Sequence, residues 1–544
     1  YGVLSTGAAY VPLDPSFPTS RIAEILADLG QLCSLVLVDS DDVALRIPVA
    51  FADIVSTIGP GGLGLGLASA GVEQVYRATA NDLVYCMYTS GTTGKPKGVT
   101  VQHRSLAMRV DWLQRAFGAQ VGDRVALKTP YIFGVSEWEL FWPLTVGAAV
   151  VVVDHAAMKS IPTFAGLVQQ KKLTHMFVVP SHLKSVLGQW QLINLKAEDV
   201  QLRVVVCCGE PLPSDTIDSF RSLMPKSVDL YNVYGPTEGS MTCWRCPAEL
   251  ATGTVYIGAP IDNTCVVLLD RWQRPVPPGV PGEIHFGHCI ARGYLNMPQL
   301  TAEKFVELPK ILFPEAPPVC TTFYKTGDIG VWSDEGLLSF RGRVDRQVKV
   351  RGYRIELEAV ETALRVLAPW KADGLQAAVA AVALPPAADR PGGELLGFVE
   401  AGLRAEDEAG LKQGLRDRLP AYMVPSRIIG KAEFPMLPNG KVNIRALQDM
   451  AAKHSLAAVD VQHASGPSAP ASQEAVIDSL GVVRQIGKRS ADLAMEARVA
   501  DNLRAFFMYG VLWDHWVDCG DSGTCSAIME DFTWKMPASF QGSA

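Results

Sequence analysis

The chain has 544 residues, of which 48% are hydrophobic and 19% are charged, with 48 Gly and 36 Pro. This length predicts roughly three or four domains with packed cores, and the composition excludes a collagen-like or wholly disordered chain. The formal net charge of −7 provides no global basic field, which argues against nucleic acid and anionic lipid as partners.

Cysteine usage and hydropathy bear on the compartment. The 11 Cys lie at irregular spacings, which favours reduced thiols over a disulfide framework and predicts a cytoplasmic protein. Cys243 and Cys246 have the spacing of a metal-binding pair. Because no second pair or His cluster follows at zinc-site distance, we interpret them as ordinary thiols. No apolar run approaches the ~18 residues of a membrane span.

The first 340 residues alternate short β-branched runs with helical patterns. The β-branched runs lie at 35–38, 83–88, 149–153, 176–179 and 203–207. This alternation predicts βαβ units and mostly parallel sheets flanked by helices, and therefore an α/β fold. From about 255 to 340, short strands separated by Pro/Gly turns predict an antiparallel, β-rich subdomain.

A smaller α+β unit is predicted to follow. It contains a basic strand at 347–350, a helix at 356–367 and an Ala/Val-rich strand near 376–383. We therefore predict a large domain at 1–342, a small C-terminal domain at 343–450, a Pro/Ser-rich linker at 451–472 and a helical tail of unknown role at 473–544.

The strongest local motif is YTSGTTGKPKG at residues 88–98, directly after an apolar run. Its glycines let the backbone approach a ligand, and successive N–H groups and hydroxyls can surround phosphate oxygens. Lys95 and Lys97 supply compensating charge. The motif is not a Walker loop, because Pro96 follows Lys95 where that loop requires Ser or Thr. It predicts a nucleotide-phosphate loop, with a glycine-rich surface turn as the alternative.

This stretch resembles the phosphate-loop signature of the adenylate-forming superfamily, which contains nonribosomal-peptide adenylation domains, acyl-CoA and aryl-CoA synthetases, and luciferases. Further motifs follow in the family's order: GEP at 209–211, NVYGPTE at 232–238, GEI at 282–284, ARGYL at 291–295, YKTGD at 324–328, GRVDRQVKVRGYRIE at 342–356, LPAYMVP at 419–425 and LPNGK at 437–441. The resemblance covers about 1–447 and is greatest to peptide-synthetase adenylation domains. The opening GAAYVPLDP normally follows a leading portion of the large domain, which implies N-terminal truncation.

The resemblance implies a role for each matched residue. The residues that it assigns to ATP phosphates are Thr89, Ser90, Gly91, Thr92, Thr93, Gly94, Lys95 and Lys97. The residues that it assigns to the rest of the nucleotide are Gly209, Glu210, Pro211, Asn232, Tyr234, Gly235, Asp328 and Arg343, with Asp328 on the ribose hydroxyls. Glu238, beside Thr237, is the expected Mg²⁺ ligand. Lys441 is the expected catalytic lysine between acyl carboxylate and α-phosphate, and Asp345 is the hinge residue.

The expected substrate pocket departs from the family's usual pattern. Relatives that activate amino acids carry F-D-x-S before a Trp, and the aspartate pairs with the α-ammonium group of the substrate. Gly134 stands at that position in FGVSEW. A buried ammonium without a counter-charge would cost several kcal/mol. An ordinary α-amino acid is therefore disfavoured, and the resemblance to relatives without this aspartate implies an α-keto, α-hydroxy or aryl acid. The alternatives are that Glu137 supplies the charge, or that the domain is inactive.

The remaining pocket positions carry over in chain order. The predicted lining, closed by Lys441, is Phe133, Gly134, Val135, Trp138, Ser181, Val206, Cys208, Val233, Met241 and Thr242. This lining is mainly apolar and medium-sized, which suits a branched aliphatic or aromatic acid. In the tail, Asp-Ser479-Leu is similar to the attachment sequence of carrier domains, but we favour a plain helix start there.

Two enzymatic functions compete at this point. The favoured one is ATP-dependent formation of an acyl-AMP and pyrophosphate, followed by thioester transfer to the phosphopantetheine of a carrier domain in cis or in trans. The second is an acyl- or aryl-CoA synthetase, with CoA as acceptor. A third hypothesis, of a different class, is a non-catalytic pseudo-adenylation domain. The first two require ATP and Mg²⁺.

Overall fold

The computed structural model describes residues 1–59, 62–63, 78–91, 95–196, 199–250, 253–308, 321–369, 376–387, 392–436 and 442–452. Several predictions fall outside these ranges: Thr92, Thr93, Gly94, Lys441, Ser479, the linker from residue 453 onwards, and the helical tail.

The N-terminal part contains a small sheet and a long hairpin. Its helices are α1 (Gly2–Ser5), α2 (Thr19–Leu29) and α3 (Asp41–Ala44), and its strands are β1 (Val36–Val38), β2 (Val55–Gly59), β3 (Gly62–Leu63), β4 (Leu83–Thr89) and β5 (Lys97–Gln102). Strands β1, β2 and β3 form one sheet. Strands β4 and β5 pair antiparallel, so the run at 83–88 belongs to a hairpin and not to a βαβ unit. The predicted phosphate loop connects these two strands.

A seven-stranded sheet forms the centre of the predicted large domain. The helices around it are α4 (His103–Phe117), α5 (Val135–Leu140), α6 (Trp142–Thr145), α7 (His155–Lys159), α8 (Ile161–Gln170), α9 (Pro180–Leu192) and α10 (Ser214–Leu223). Its strands are β6 (Arg124–Leu127), β7 (Ala149–Val152), β8 (His175–Val178), β9 (Val204–Cys208), β10 (Asp229–Tyr234), β11 (Thr242–Arg245) and β12 (Ala259–Pro260). The order is β12-β11-β10-β9-β8-β6-β7.

The parallel part of this sheet has buried, apolar strands. Strands β6 to β10 pair in parallel, and β11 and β12 are antiparallel additions. Every residue of β8 and β9 is buried, as expected of a parallel sheet that helices cover on both faces. The carboxyl ends of β8, β9 and β10 meet at one edge, where parallel α/β sheets bind ligands. The α/β prediction is confirmed.

The predicted antiparallel subdomain follows. It consists of β13 (Cys265–Leu269), β14 (Gly282–Gly287), β15 (Gly293–Tyr294), α11 (Pro298–Lys304), β16 (Phe305–Glu307), β17 (Thr322–Trp332) and β18 (Leu338–Arg343). One sheet has the order β13-β14-β17-β16, with β18 also paired to β17, and all of these pairings are antiparallel. Strand β15 instead pairs with β5 and extends the hairpin of the phosphate loop.

The C-terminal part begins with a hairpin. Its elements are β19 (Gln347–Val350), β20 (Tyr353–Glu356), α12 (Leu357–Leu367), β21 (Val379–Leu384), β22 (Glu394–Val399), α13 (Ala405–Arg416) and β23 (Arg427–Gly430). Strands β19 and β20 form a separate two-stranded sheet, and β21, β22 and β23 form a three-stranded one. Helix α12 buries Val360 and Leu364 in a core that also contains Leu415 of α13 and Val399 of β22. The predicted helix and strands are present with small shifts of their ends.

The described part of the chain has no helix with the length and apolarity that a membrane span requires. In that part of the chain, Cys243 and Cys246 are not joined by a disulfide. Among all the described residues, no group of three or more His, Cys, Asp and Glu side chains is arranged to hold a metal ion.

Candidate active site

The hairpin β4–β5 positions the predicted phosphate loop. A Cβ on Gly91 would lie 2.3 Å from the carbonyl oxygen of Lys95, so the loop closes on itself only with glycine there. The hydroxyl of Thr89 is buried without a hydrogen-bond partner among the described residues. Lys97 is buried, whereas Lys95 is exposed. An unpartnered hydroxyl and a buried ammonium group fit an anionic ligand such as a phosphate group.

Glu238 lies after β10, at the edge of the central sheet, and its side chain is completely buried. Its Oε2 atom is 2.6 Å from Nη1 of Arg354, and Oε1 accepts a hydrogen bond of 2.9 Å from the Tyr294 hydroxyl. The Lys97 ammonium is 3.6 Å from Oε1. Burial alone would raise the pKa of Glu238, but Arg354 and Lys97 outweigh it and lower the pKa to about 2. The carboxylate is therefore ionised at neutral pH. Thr237, its neighbour in the chain, is half-buried.

Asp328 lies on β17 and faces the same edge of the sheet. Its Oδ2 atom accepts a hydrogen bond of 2.5 Å from the Tyr234 hydroxyl, and its Oδ1 atom pairs with Nη1 of Arg343. Arg343 also binds Asp345, with contacts of 2.6 and 2.7 Å. The predicted ribose residue and the predicted hinge residue thus share one guanidinium group.

The GEP segment follows β9. Gly209 has φ +85°, a conformation that favours glycine, and an added Cβ would lie 3.5 Å from Val179. Glu210 accepts a hydrogen bond of 2.9 Å from the backbone N–H of Ser181, while its Oε1 atom is buried without a partner among the described residues. Burial raises the pKa of this carboxyl group. The free carboxylate oxygen is an acceptor that a ligand could satisfy.

Two further residues that the sequence assigns to the nucleotide, Asn232 and Gly235, instead make close contacts with the protein backbone. The Asn232 amide donates a hydrogen bond of 2.7 Å to the carbonyl oxygen of Tyr256, so it is committed to the backbone. A Cβ on Gly235 would lie 2.5 Å from the carbonyl oxygen of Ser240, which requires glycine at this close approach. Pro211 is exposed.

Six of the predicted pocket residues meet in one apolar cluster. They are Val135, Trp138, Val206, Cys208, Val233 and Met241. Phe133 lies outside this cluster and packs edge-to-face against Tyr353, with ring centroids 5.3 Å apart. The Thr242 hydroxyl donates a hydrogen bond of 2.5 Å to the carbonyl oxygen of Ile257. A Cβ on Gly134 would have no described residue within 4 Å, so the described part of the chain leaves space at this position.

Glu137 belongs to a buried ion pair that sequence reasoning missed. Its carboxylate accepts hydrogen bonds from Nε and Nη2 of Arg109, at 2.6 and 3.0 Å. It also accepts hydrogen bonds from the Tyr85 hydroxyl at 2.6 Å and from Nε1 of Trp138 at 3.0 Å. Glu137 is thus committed to protein partners. The sequence does carry one sign of this pair: Arg109 lies on the apolar face of α4, between Leu106 and Leu113, and an arginine on a buried face needs a partner such as a carboxylate.

The β19–β20 hairpin reaches the same site, which sequence reasoning also missed. Besides the contact between Arg354 and Glu238, Lys349 places its ammonium 5.6 Å from the centroid of the Tyr234 ring. Gly352 lies against Val179, since an added Cβ would be 2.7 Å from its Cγ1 atom. Burial lowers the pKa of Lys349. The basic strand predicted at 347–350 therefore contributes to the candidate site.

Comparison with known proteins points to one family. The family described as AMP-binding enzyme matches residues 1–295. Zwittermicin A synthase ZmaJ of Bacillus cereus is 35% identical over 459 residues, which cover 82% of this chain and 82% of that protein. Tyrocidine synthase 2 of Brevibacillus parabrevis is 33% identical over 447 residues, which cover 82% of this chain but only 12% of that much longer protein.

A solved structure shares the fold. The Vibrio cholerae adenylation domain AlmE, in complex with glycyl-adenosine-5'-phosphate, superposes with a TM-score of 0.67 at 24% identity, over 82% of this chain and 84% of that one. The family match covers more than half of this chain, and ZmaJ is similar over most of both lengths. The chain therefore belongs to the AMP-binding enzyme family, as an adenylate-forming enzyme of the nonribosomal peptide synthetase type.

Proposed function

We propose that the protein activates a carboxylic acid with ATP and then transfers the acyl group to the phosphopantetheine thiol of a carrier domain. In the first step a carboxylate oxygen bonds to the α-phosphorus, and the bond to the leaving pyrophosphate breaks. In the second step the thiol sulfur bonds to the acyl carbon, and AMP leaves. The observation that supports this most is the convergence of Thr89, Lys97, Glu238 and Asp328 at one edge of the central sheet.

Different residues of the chain are suited to the phosphates, the ribose, Mg²⁺ and the acyl carboxylate. The unpartnered Thr89 hydroxyl and the Lys97 ammonium are suited to phosphate oxygens, and Asp328 is suited to ribose hydroxyls. Glu238 fits Mg²⁺, since it is a buried, ionised carboxylate of the hard-oxygen type that this ion prefers. A bound Mg²⁺ would neutralise phosphate charge. We assign to Lys441 the contact with the acyl carboxylate and the α-phosphate.

We further propose that residues 343–450 form a small domain that rotates about Asp345 between the two steps. Arg343 binds both Asp345 and Asp328. A rotation at Asp345 would therefore move Arg343 and change its contact with Asp328 at the proposed ribose site. This arrangement would let the small domain exchange Lys441 for the β19–β20 hairpin.

The substrate class follows from the charges around Gly134. Glu137 is the nearest candidate in sequence for a substitute counter-charge, and Arg109, Tyr85 and Trp138 already occupy its oxygens. A second buried carboxylate, Glu139, is occupied by the backbone N–H and hydroxyl of Thr129 and by Lys128. The hydrophobic side chains packed with Trp138 offer no counter-charge. A free α-ammonium would therefore be left without a partner, which costs several kcal/mol. We propose an α-keto, α-hydroxy or aryl acid as substrate.

Gly134→Asp is expected to shift preference toward α-amino acids. The described residues leave space for the new side chain, because none of them lies within 4 Å of an added Cβ. A carboxylate that pairs with the substrate ammonium should raise kcat/KM for α-amino acids by about 10-fold or more, and lower it for keto acids. Gly134→Asn adds nearly the same volume without charge and should give neither change. Equal preference in the Asp and Asn variants would contradict the counter-charge argument.

The overall proposal is tested by ATP–pyrophosphate exchange over α-amino acids, their keto and hydroxy analogues, and benzoic-type acids, with Lys441→Ala as the low-activity control. Exchange with keto, hydroxy or aryl acids alone supports the proposed substrate class. Exchange with α-amino acids would overturn it, and no exchange at all would favour a non-catalytic domain.

Supplying CoA or a phosphopantetheinylated carrier then decides the acceptor, and a preference for CoA would favour an acyl- or aryl-CoA synthetase.

A further inference from the structure

Both carboxylate oxygens of Glu238 already have protein partners in this structure. Its Oε2 atom binds Nη1 of Arg354 at 2.6 Å, and its Oε1 atom binds the Tyr294 hydroxyl at 2.9 Å, with Lys97 at 3.6 Å. A divalent cation on Oε2 would have to lie against the guanidinium group. A metal ion and a guanidinium group in contact in a buried site repel each other strongly, so they cannot both bind Oε2 of Glu238.

Arg354 is held in place by the hairpin that carries it. The carbonyl oxygen of Arg354 accepts a hydrogen bond of 3.2 Å from the Ser90 hydroxyl. At the neighbouring turn, Gly352 packs against Val179. The hairpin is therefore docked on both the phosphate loop and the edge of the central sheet.

Besides Glu238, the guanidinium group has a neutral partner, the Tyr324 hydroxyl, and a more distant carboxylate, Glu356. Its Nη2 atom is 3.9 Å from Glu356, beyond hydrogen-bond distance, and its Nε atom is buried without a partner among the described residues. Taking Glu238 away from Arg354 while the hairpin stays docked would leave a half-buried positive charge without its nearest counter-ion, which is costly. Release of Glu238 is thus coupled to movement of the hairpin.

We propose that Arg354 and a divalent cation compete for the Glu238 carboxylate, so that a docked β19–β20 hairpin and a metal ion at Glu238 exclude each other. The proposal rests on the proposed function for the assignment of the metal to Glu238. It makes Arg354 a positioning residue that occupies the cation position once the metal ion has left. The hairpin can then dock only when the site no longer holds a divalent cation.

The test measures Mn²⁺ binding to the full-length protein without nucleotide, by electron paramagnetic resonance of the free ion. Arg354→Gln removes the competing charge, and it is expected to tighten the Kd for Mn²⁺ by about 10-fold or more. The matched control is Arg351→Gln, which removes the same charge from an exposed position on the same hairpin and should bind like the wild type. Introducing Glu238→Gln into each background identifies the binding that depends on this carboxylate.

The outcomes separate the two proposals. Glu238-dependent binding that tightens only with Arg354→Gln supports the competition. Glu238-dependent binding that is equally tight in the wild type and in Arg354→Gln overturns the competition but leaves the metal role of Glu238 intact. Binding that never depends on Glu238 overturns the metal assignment itself, and the competition with it.

A second measurement needs no variant that might fail to fold. Hydrogen exchange of residues 347–356 in the wild-type protein is compared with and without saturating Mg²⁺. We expect Mg²⁺ to speed exchange in this hairpin, because the metal ion displaces Arg354 and undocks it. Helix α8, far from the hairpin in the chain, serves as the internal control and should not change. Unchanged exchange in the hairpin at saturating Mg²⁺ would overturn the proposal.

Discussion

Replacing Glu238 by Gln is expected to have the largest effect on activity, lowering the rate of pyrophosphate release by about 10²- to 10³-fold. The change removes the proposed metal ligand and a buried charge that two cations share. Lys97, which is buried, and Arg354, which is half-buried, would then lack their counter-ion. We therefore also expect the free energy of unfolding to fall by about 3–5 kcal/mol, measured by urea denaturation.

Glu356→Gln is the matched control for this prediction. It makes the same chemical change on strand β20, where the carboxylate lies 3.9 Å from Arg354 instead of 2.6 Å. Burial raises the pKa of Glu356, whereas the two cations lower that of Glu238, so loss of the charge should cost less at Glu356. If Glu356→Gln destabilised the protein as much as Glu238→Gln, the ion cluster at Glu238 would not be the main source of stability at this site.

Breaking the ion pair between Arg109 and Glu137 is expected to have a similarly large effect on stability. The two side chains are 5% and 2% exposed, and Glu137 also binds Tyr85 and Trp138. Arg109→Met should lower the free energy of unfolding by about 3–5 kcal/mol, because it leaves a buried carboxylate without its main partner. Removing both charges in Arg109→Met/Glu137→Leu should cost less than the sum of the single changes.

The exposed ion pair between Arg115 and Asp111 provides the control on the same helix. Its atoms are 2.7 Å apart, close to the distance in the buried pair, but Arg115 is 48% exposed. Arg115→Met should therefore change the free energy of unfolding by less than about 1 kcal/mol. Equal losses for Arg109→Met and Arg115→Met would show that burial does not govern the pair. Loss of the ion pair between Arg109 and Glu137 should also alter substrate affinity, because α5 carries both Glu137 and the pocket residue Trp138.

Much of the fold could be predicted because its signals are local. The alternation of β-branched runs with helical patterns predicts the α/β architecture, and the Pro/Gly turns after residue 255 predict the antiparallel subdomain. The hairpin nature of β4 could not be read in this way, because a short apolar run has the same pattern in parallel and antiparallel sheets. Only the pairing of β4 with β5 and of β5 with β15 distinguishes them.

The sequence by itself determined the family and the candidate residues for phosphate, ribose and metal, because those roles depend on residue types at fixed spacing within short motifs. Tertiary structure alone decided which charges neutralise one another. Arg354 lies 116 residues from Glu238 in the chain, and Arg109 lies 28 residues from Glu137. No local periodicity encodes such contacts. They form because burial leaves each ion no alternative to the partner that the fold brings within hydrogen-bond distance.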